Sequence, residues 1–169
     1  MVKTGTDRRQ LGKENRAEGK AFEKKLEDAF DYYKSKGFAQ IDKTPEPTKF
    51  VKRLKGGQFI AAPDKKAQPD FKGTLNGGRS VMFEAKYTSG DRIEDKRVTE
   101  TQWRYLTQAT GLGARCFILA GFSSGNVYKI PWEKWTAMKE IYGRRYVTEK
   151  DLLQYQVKTG WHGLLMILN

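Results

Sequence analysis

Residues 70–87 have the sequence DFKGTLNGGRSVMFEAKY. Two runs of strand-forming residues flank Asn76-Gly77-Gly78, and a glycine-containing turn between such runs indicates a β-hairpin. We therefore predict two adjacent strands, over about Asp70 to Leu75 and Ser80 to Tyr87.

The alternation of side chains along the two strands predicts how the hairpin pairs. Successive side chains point to opposite faces of a strand. A three-residue loop pairs Phe71 with Phe83 and Asp70 with Glu84, whereas a two-residue loop would set Asp70 against Phe83, which mixes polar and apolar faces. We predict the three-residue loop, which brings the Asp70 and Glu84 Cβ atoms to about 4.5–5.5 Å from each other.

Two carboxylates at that separation repel each other, and a divalent cation would relieve the repulsion. Mg²⁺ prefers hard oxygen ligands and commonly takes one or two carboxylates with phosphate oxygens and waters. Lys86 shares a strand face with Glu84 and would neutralise phosphate charge or help to activate water. We predict a Mg²⁺ site at Asp70 and Glu84, with Mn²⁺ as a substitute. A solvated sheet face with a salt bridge is the alternative; Pro69 before Asp70 and the apolar remainder of the second strand favour the metal site.

The charge of the chain indicates its partner. The 169 residues include 32 Lys and Arg against 20 Asp and Glu, a formal net charge of +12. Such an excess attracts polyanions, of which nucleic acid is the usual one in a cell. A solvated basic surface without a polyanionic partner is the alternative.

The stretch from about 48 to 68 concentrates this charge. Gly56-Gly57 lies in its middle, and Asp64 is its only acidic residue. We predict a projecting basic excursion with Gln58 to Ala62 as one arm of a ribbon; a disordered loop is the alternative. Its cations would hold phosphates, and Phe59 would stack on opened bases. The candidate DNA-binding residues are Lys49, Lys52, Arg53, Lys55, Phe59, Lys65 and Lys66.

Periodicity elsewhere predicts an α/β (α+β) protein built around one mixed sheet. Residues 1–13 lack periodicity and predict a flexible basic arm, and residues 14–169 predict a single domain that includes the excursion. The other predicted helices lie at about 15–36, 99–110, from Pro131 onward, and 148–154. The other predicted strands lie at about 38–41, 115–122, 127–130 and 163–168.

Several classes of protein are disfavoured by composition. No apolar run has the length of a membrane span, and the polar stretch from Met1 to Lys20 does not resemble a signal peptide. Cys116, among apolar neighbours, predicts a buried thiol in a reducing compartment, so we expect a cytoplasmic protein. His162 is the only histidine, which excludes sites built from two histidines. We predict that Trp132, Trp135 and Trp161 belong to the core or to an interface.

Several stretches of the chain match a known pattern. Pro69-Asp70, thirteen intervening residues and Glu84-Ala85-Lys86 resemble the PD-(D/E)xK nuclease motif. Within about 15–135, the stretches NRAEGKAFE (15–23), FEAK (83–86), TQWRYL (101–106), CFIL (116–119) and YKIP (128–131) resemble the RecU family of Holliday junction resolvases, including its phage-encoded members.

This resemblance implies a restriction-endonuclease-like mixed β-sheet core flanked by helices, with the basic excursion as a stalk. It implies that Glu23 is a third active-site carboxylate and that Gln102 contacts substrate or water. It also implies a homodimer that resolves four-way DNA junctions by paired Mg²⁺-dependent hydrolysis in recombination and repair, in the host cytoplasm if the chain is phage-encoded.

Two alternatives stay open. The same core would serve another nuclease, of a repair or restriction type, that acts on other DNA. A degenerate core would instead give a non-catalytic DNA-binding protein, although the intact set of acids argues against it.

Overall fold

A computed structural model describes residues 5–64 and 68–168 of the chain. Its helices and strands, in chain order, are α1 (Gly5–Ser35), β1 (Ala39–Lys43), β2 (Thr48–Arg53), β3 (Phe59–Pro63), β4 (Phe71–Leu75), β5 (Ser80–Thr88), β6 (Arg92–Glu94), α2 (Glu100–Gly111), β7 (Arg115–Phe122), β8 (Val127–Pro131), α3 (Trp132–Thr136), α4 (Met138–Tyr142) and β9 (Tyr146–Thr148). Short 3-10 helices span Lys55–Gly57, Asp95–Arg97, Glu149–Tyr155 and Trp161–Gly163.

Five strands form the central sheet, in the order β1-β4-β5-β7-β8. The β5–β7 pair is parallel and the other pairs are antiparallel, so the sheet is mixed. One core contains Leu26 of α1 with Phe83 of β5, and a second contains Leu106 of α2 with Ile118 of β7. The predicted class, a mixed sheet core flanked by helices, is confirmed, and β5 lies in the middle of it.

The hairpin has the predicted register. Phe71 pairs with Phe83 and Gly73 with Val81, and the Leu75 N–H donates to the Arg79 carbonyl at 2.9 Å across the turn. The first strand begins at Phe71, so Asp70 lies just before it. The order of polar and apolar residues was therefore sufficient to predict the pairing of β4 with β5.

The first helix is longer than predicted. Its buried stripe, including Phe22, Leu26 and Phe30, is the one that the sequence predicts, and Gly37, with a φ of 70°, follows its end. The helix begins at Gly5, so the predicted start near Asn15 is wrong; that residues 1–13 form a flexible basic arm stays a prediction. The physical reason for the earlier start is that residues 5–13 include no proline and several good helix formers. Residues 1–4 lie outside the described part.

The basic excursion is a ribbon, as predicted. Strands β2 and β3 pair antiparallel in a sheet of their own. All six residues of β2 are exposed. Residues 65–67, and with them the candidates Lys65 and Lys66, lie outside the described residues. That residues 14–169 act as one nuclease domain stays a prediction.

The C-terminal third contains the other corrections. The helix predicted from Pro131 divides at Ala137 into α3 and α4. The strand predicted over 163–168 is wrong: an isolated bridge joins Thr159 to Leu165, because positive φ values at His162 and Gly163 turn the chain there.

Exposure separates the three tryptophans, and one small sheet was not predicted. Trp132 and Trp135 are buried as expected, but Trp161 is 89% exposed and does not belong to the core. The two-stranded β6–β9 sheet was missed because three-residue strands are too short to show alternation. Among the described residues, no helix has the length and apolar character needed to cross a membrane.

Gly73 tests the packing of β4 against β1. A Cβ at this position would lie 2.0 Å from the Gln40 carbonyl oxygen and 2.7 Å from the Ile41 Cα. Gly73→Ala should therefore lower the free energy of unfolding by about 1–3 kcal/mol, as overpacking does, measured by denaturant unfolding. Gly111→Ala is the control, because its Cβ would meet nothing within 4 Å; equal stability of the two variants would contradict the close approach.

Candidate active site

Asp70 is joined to neighbouring residues of β5 by two hydrogen bonds, one in each direction. The Asp70 N–H donates to Glu84 Oε1 at 3.2 Å, and the Ala85 N–H donates to Asp70 Oδ2 at 3.0 Å. Asp70 is buried, and Glu84 is 0% exposed. The structure thus brings the two predicted acids together, beneath the surface rather than on a solvated face.

Lys86 supplies a positive charge to this pair. Its Nζ donates to Glu84 Oε2 at 2.7 Å and lies 3.8 Å from Asp70 Oδ2. The Lys86 side chain is itself largely buried. An ammonium beside two buried carboxylates balances only one of their two charges, so the group as a whole favours a further cation.

The pKa of Glu84 reflects this imbalance. Burial raises it from its ordinary value of 4.5 to about 8, and the hydrogen bond with Asp70 acts in the same direction, while Lys86 opposes both. Without a bound metal, this environment favours the protonated form of Glu84. A divalent cation would replace that proton, because its positive charge also reduces the repulsion between two adjacent carboxylates.

The donor set fits a hard divalent cation such as Mg²⁺. Both candidate ligands are carboxylates, whose oxygens such cations prefer. The hydrogen bond between residues 70 and 84 keeps the two groups close enough to share one ion. Within 5–64 and 68–168, no group of three or more His, Cys, Asp or Glu side chains lies together as a metal site. A pair of carboxylates is nevertheless a common protein contribution to Mg²⁺ in sites that act on phosphates.

A cleft of about 360 Å³ opens beside Asp70, whereas Glu84 is fully buried and does not line it. Helix α1 forms part of its wall and contributes Glu23, which therefore lines the same cleft as Asp70 and Lys86. Glu23 Oε2 is held by an ion pair with Lys43 at 2.7 Å. The residues that line the cleft are Gly19, Lys20, Phe22, Glu23, Asp70, Ala85, Lys86, Tyr87 and Arg97.

Gln102 is placed differently from the other candidates. It is not among the residues that line the cleft, and it is buried, where an exposed side chain was the default expectation. Its Oε1 accepts hydrogen bonds from the N–H and the hydroxyl of Thr99, each at 3.0 Å. Together with the Gln102 N–H bond to Thr99 Oγ1, these contacts make a capping box at the start of α2.

Lys20 and Arg97 also line the cleft, and sequence reasoning missed both. Lys20 is an exposed position in the middle of a helix, and Arg97 lies in a 3-10 helix between β6 and α2. Neither belongs to a motif of recognisable spacing. Only the folding of α1 and of the 89–99 connection onto β5 brings them to the acids.

The aromatic residues of the β2–β3 ribbon are exposed to solvent. The Phe50 and Phe59 rings lie 6.3 Å apart and each residue is 63% exposed. Lys49 pairs with Ala62, Lys52 with Ile60 and Arg53 with Phe59 across the ribbon. Four of the candidate cations, Lys49, Lys52, Arg53 and Lys55, therefore lie on one exposed element beside two aromatic rings.

Comparisons with known proteins agree with the resemblance noted in the sequence. The family described as RecU, Recombination protein U, matches residues 17–167. Holliday junction resolvases RecU from Streptococcus gordonii and Streptococcus pneumoniae are each 33% identical over 112 residues, which cover 63% of this chain. The match spans 56% of the length of these curated relatives.

A solved structure is also similar to this chain. It is that of Hjc, a Holliday junction resolvase from Archaeoglobus fulgidus, with 15% identity and a TM-score of 0.44. The similarity covers 69% of this chain and 74% of that one.

The raised pKa of Glu84 predicts how stability depends on pH in metal-free buffer. Between about 4.5 and about 8, the folded protein keeps a proton that the unfolded chain releases, so the free energy of unfolding should fall as pH rises through this range. Glu84→Gln removes the titrating group, so its profile over the same range should be flatter than that of the wild type. Denaturant unfolding at several pH values with a chelator present measures both; parallel profiles would contradict the assignment.

Proposed function

This chain belongs to the RecU family, and from that premise we propose that it is a metal-dependent endonuclease that resolves four-way DNA junctions. The observation that carries the proposal is the buried Asp70–Glu84 pair with Lys86 Nζ 2.7 Å from Glu84. Buried ionisable groups are costly to fold around, so the presence of this carboxyl pair in a basic chain favours a role in chemistry over a role in stability.

The proposed metal ligands are Asp70 and Glu84, and the proposed cation is Mg²⁺, with Mn²⁺ as a substitute. When bound, such a cation supplies Lewis-acid stabilisation of the phosphate and lowers the pKa of a coordinated water. Lys86 neutralises charge on the phosphate as the phosphodiester bond breaks. Glu23, on the wall of the cleft, orients the attacking water or accepts its proton.

Gln102 keeps a supporting role in this proposal. The capping box uses its oxygen, and its amide nitrogen makes no hydrogen bond within the described residues. That nitrogen is therefore available to water or substrate. Because the same side chain caps α2, Gln102 would also stabilise the first turn of that helix.

The exposed ribbon supports the choice of a branched substrate. The chain leaves β1 and returns to β4 at the edge of the sheet where Asp70 lies, since these strands are antiparallel and Lys43 pairs with Phe71. A basic stalk rooted beside the catalytic acids would hold the backbone at a branch point, and Phe50 and Phe59 would stack on opened bases. Recognition would then depend on shape and backbone charge more than on sequence.

We also propose that the working unit is a homodimer in the cytoplasm, or in the host cytoplasm if the chain is phage-encoded. A four-way junction has near two-fold symmetry, and two paired nicks require two symmetric sites. The free, buried thiol of Cys116 fits a reducing compartment.

Removing either acid should abolish cleavage without abolishing binding. Asp70→Asn and Glu84→Gln keep the shape of the site but lose a metal ligand, so nicking of a labelled four-way junction in Mg²⁺ should fall at least about 100-fold, equivalent to roughly 3 kcal/mol of transition-state stabilisation. Glu100→Gln, an exposed acid on α2, is the matched control. Undiminished nicking by either site variant would sink the proposed centre.

Shortening the ribbon should change the choice of substrate. Replacing residues 49–62 with an Asn-Gly turn joins the paired positions Thr48 and Pro63 and removes Lys49, Lys52, Arg53 and Lys55. Cleavage of the junction should fall more than cleavage of a linear duplex, a flap or a single strand, each measured side by side in Mg²⁺. An equal loss on all four substrates would favour a repair-type or restriction-type nuclease instead, and metal-independent binding without any cleavage would favour a DNA-binding protein.

A further inference from the structure

The connection between β5 and α2 carries two arginines that the proposed chemistry does not use. Arg92 begins β6, and Arg97 ends the following 3-10 helix. Both are exposed. Their segment leaves β5 immediately after the catalytic residues, so it lies at the edge of the sheet where the cleft opens.

Arg97 is held at the cleft by a neutral partner. Its Nη2 donates to the Tyr87 carbonyl at 3.0 Å, one residue beyond Lys86, and the residue lines the same cleft as Asp70 and Lys86. A guanidinium has five N–H donors, and a carbonyl neutralises none of its charge. Arg97 is therefore oriented and still able to bind an anion.

Arg92 is oriented by an aromatic ring. Its guanidinium carbon lies 4.8 Å from the centre of the Tyr146 ring, which also stacks with Arg144 at 4.9 Å. Arg144 is in turn paired with Asp151 at 2.6 Å. Stacking on a ring holds a guanidinium in place without using its N–H groups, so Arg92 loses little further freedom when it binds a phosphate.

Two of the acids in the same segment, Glu94 and Asp95, are already paired with other cations. Glu94 pairs with Lys96 at 2.5 Å, and Asp95 pairs with Arg145 at 2.6 Å. In the part of the chain that the structure describes, Arg92 and Arg97 form no ion pair of their own. Lys96 is the main cause of the lowered pKa of Glu94, and Arg92 and Arg97 lower it to a smaller extent.

We infer that Arg92 and Arg97 bind backbone phosphates of the duplex arm that leads away from the scissile bond, with Arg97 at the cleft and Arg92 farther along β6. The inference rests on the proposed function, because the cleft has to receive DNA for the arm to pass over this segment. Guanidinium groups suit phosphate oxygens through paired N–H donors, and two oriented cations that form no ion pair among the described residues match a polyanion better than a neutral or basic ligand. This surface is separate from the ribbon and would act on duplex DNA of any sequence.

Salt dependence of binding tests this inference. Arg92→Ala, Arg97→Ala and the double variant are compared with the wild type for binding to a four-way junction, in chelator, at several NaCl concentrations. Each phosphate contact that is lost should reduce the slope of log K against log salt by about 0.9, so the double variant should lose about twice as much slope as either single one. Arg104→Ala is the matched control, since Arg104 is exposed and already paired with Glu100 at 3.0 Å; its slope should stay unchanged.

Two further measurements keep the inference separate from the proposed function. Arg97→Lys keeps the charge and loses the paired N–H donors. Its KM for junction nicking should therefore lie between the KM of the wild type and that of Arg97→Ala, with kcat nearly unchanged. The slope measurement is repeated on a linear duplex, where no resolution occurs. If the wild type cuts no junction, the proposed function fails, yet a reduced slope for the variants on linear duplex still supports the phosphate contacts. Slopes equal to that of Arg104→Ala on both substrates would overturn the inference. It would also be overturned if the variants bound DNA normally but lost affinity for an acidic peptide, measured in the same buffer.

Discussion

The reciprocal hydrogen bonds between Asp70 and the backbone and side chain of β5 are the constraint on which the rest depends. They set the register at the open end of the hairpin, bring two carboxylates together and leave them with Lys86 as the nearby cation. A buried pair of this kind lowers stability unless something compensates for the charge. A proton on Glu84 would compensate in the absence of metal, and a divalent cation would do so in the nuclease that we propose.

Burial of β5 on both faces makes this arrangement possible. Phe83 packs into the core beneath α1, and Met82 packs against the core beneath α2 and α3. Glu84 therefore has little access to water, and its low-dielectric surroundings strengthen each interaction with a neighbouring charge. The chemistry that we propose requires such surroundings, because a solvated pair of carboxylates would hold neither a shared proton nor a shared cation as firmly.

The features that we connect with DNA lie at one end of the sheet, where β1 and β5 end and β4 begins. The ribbon departs from β1 and returns to β4 at this end, and the arginine-bearing segment leaves β5 there, since β5 is antiparallel to β4. The exposed rings of Phe50 and Phe59 lie among lysines, where they stabilise no core. Exposed aromatic and basic groups on one side, with buried acids between them, suit a backbone that has to be held and bent while one phosphate enters the cleft.

Local pattern was sufficient to predict much of this protein. The alternation from Asp70 to Tyr87 determined the hairpin and the pairing of its acids, because a shift of one residue would move every side chain to the wrong face. The helix predicted at about 15–36 and the ribbon were likewise evident, since each depends on neighbouring residues. Tertiary structure alone decided that Glu84 is fully buried, that Gln102 caps a helix away from the cleft wall, and that Lys20 and Arg97 reach the cleft. These outcomes depend on how separate elements pack. Contacts between residues far apart in the chain produce no local sequence pattern from which they could be predicted.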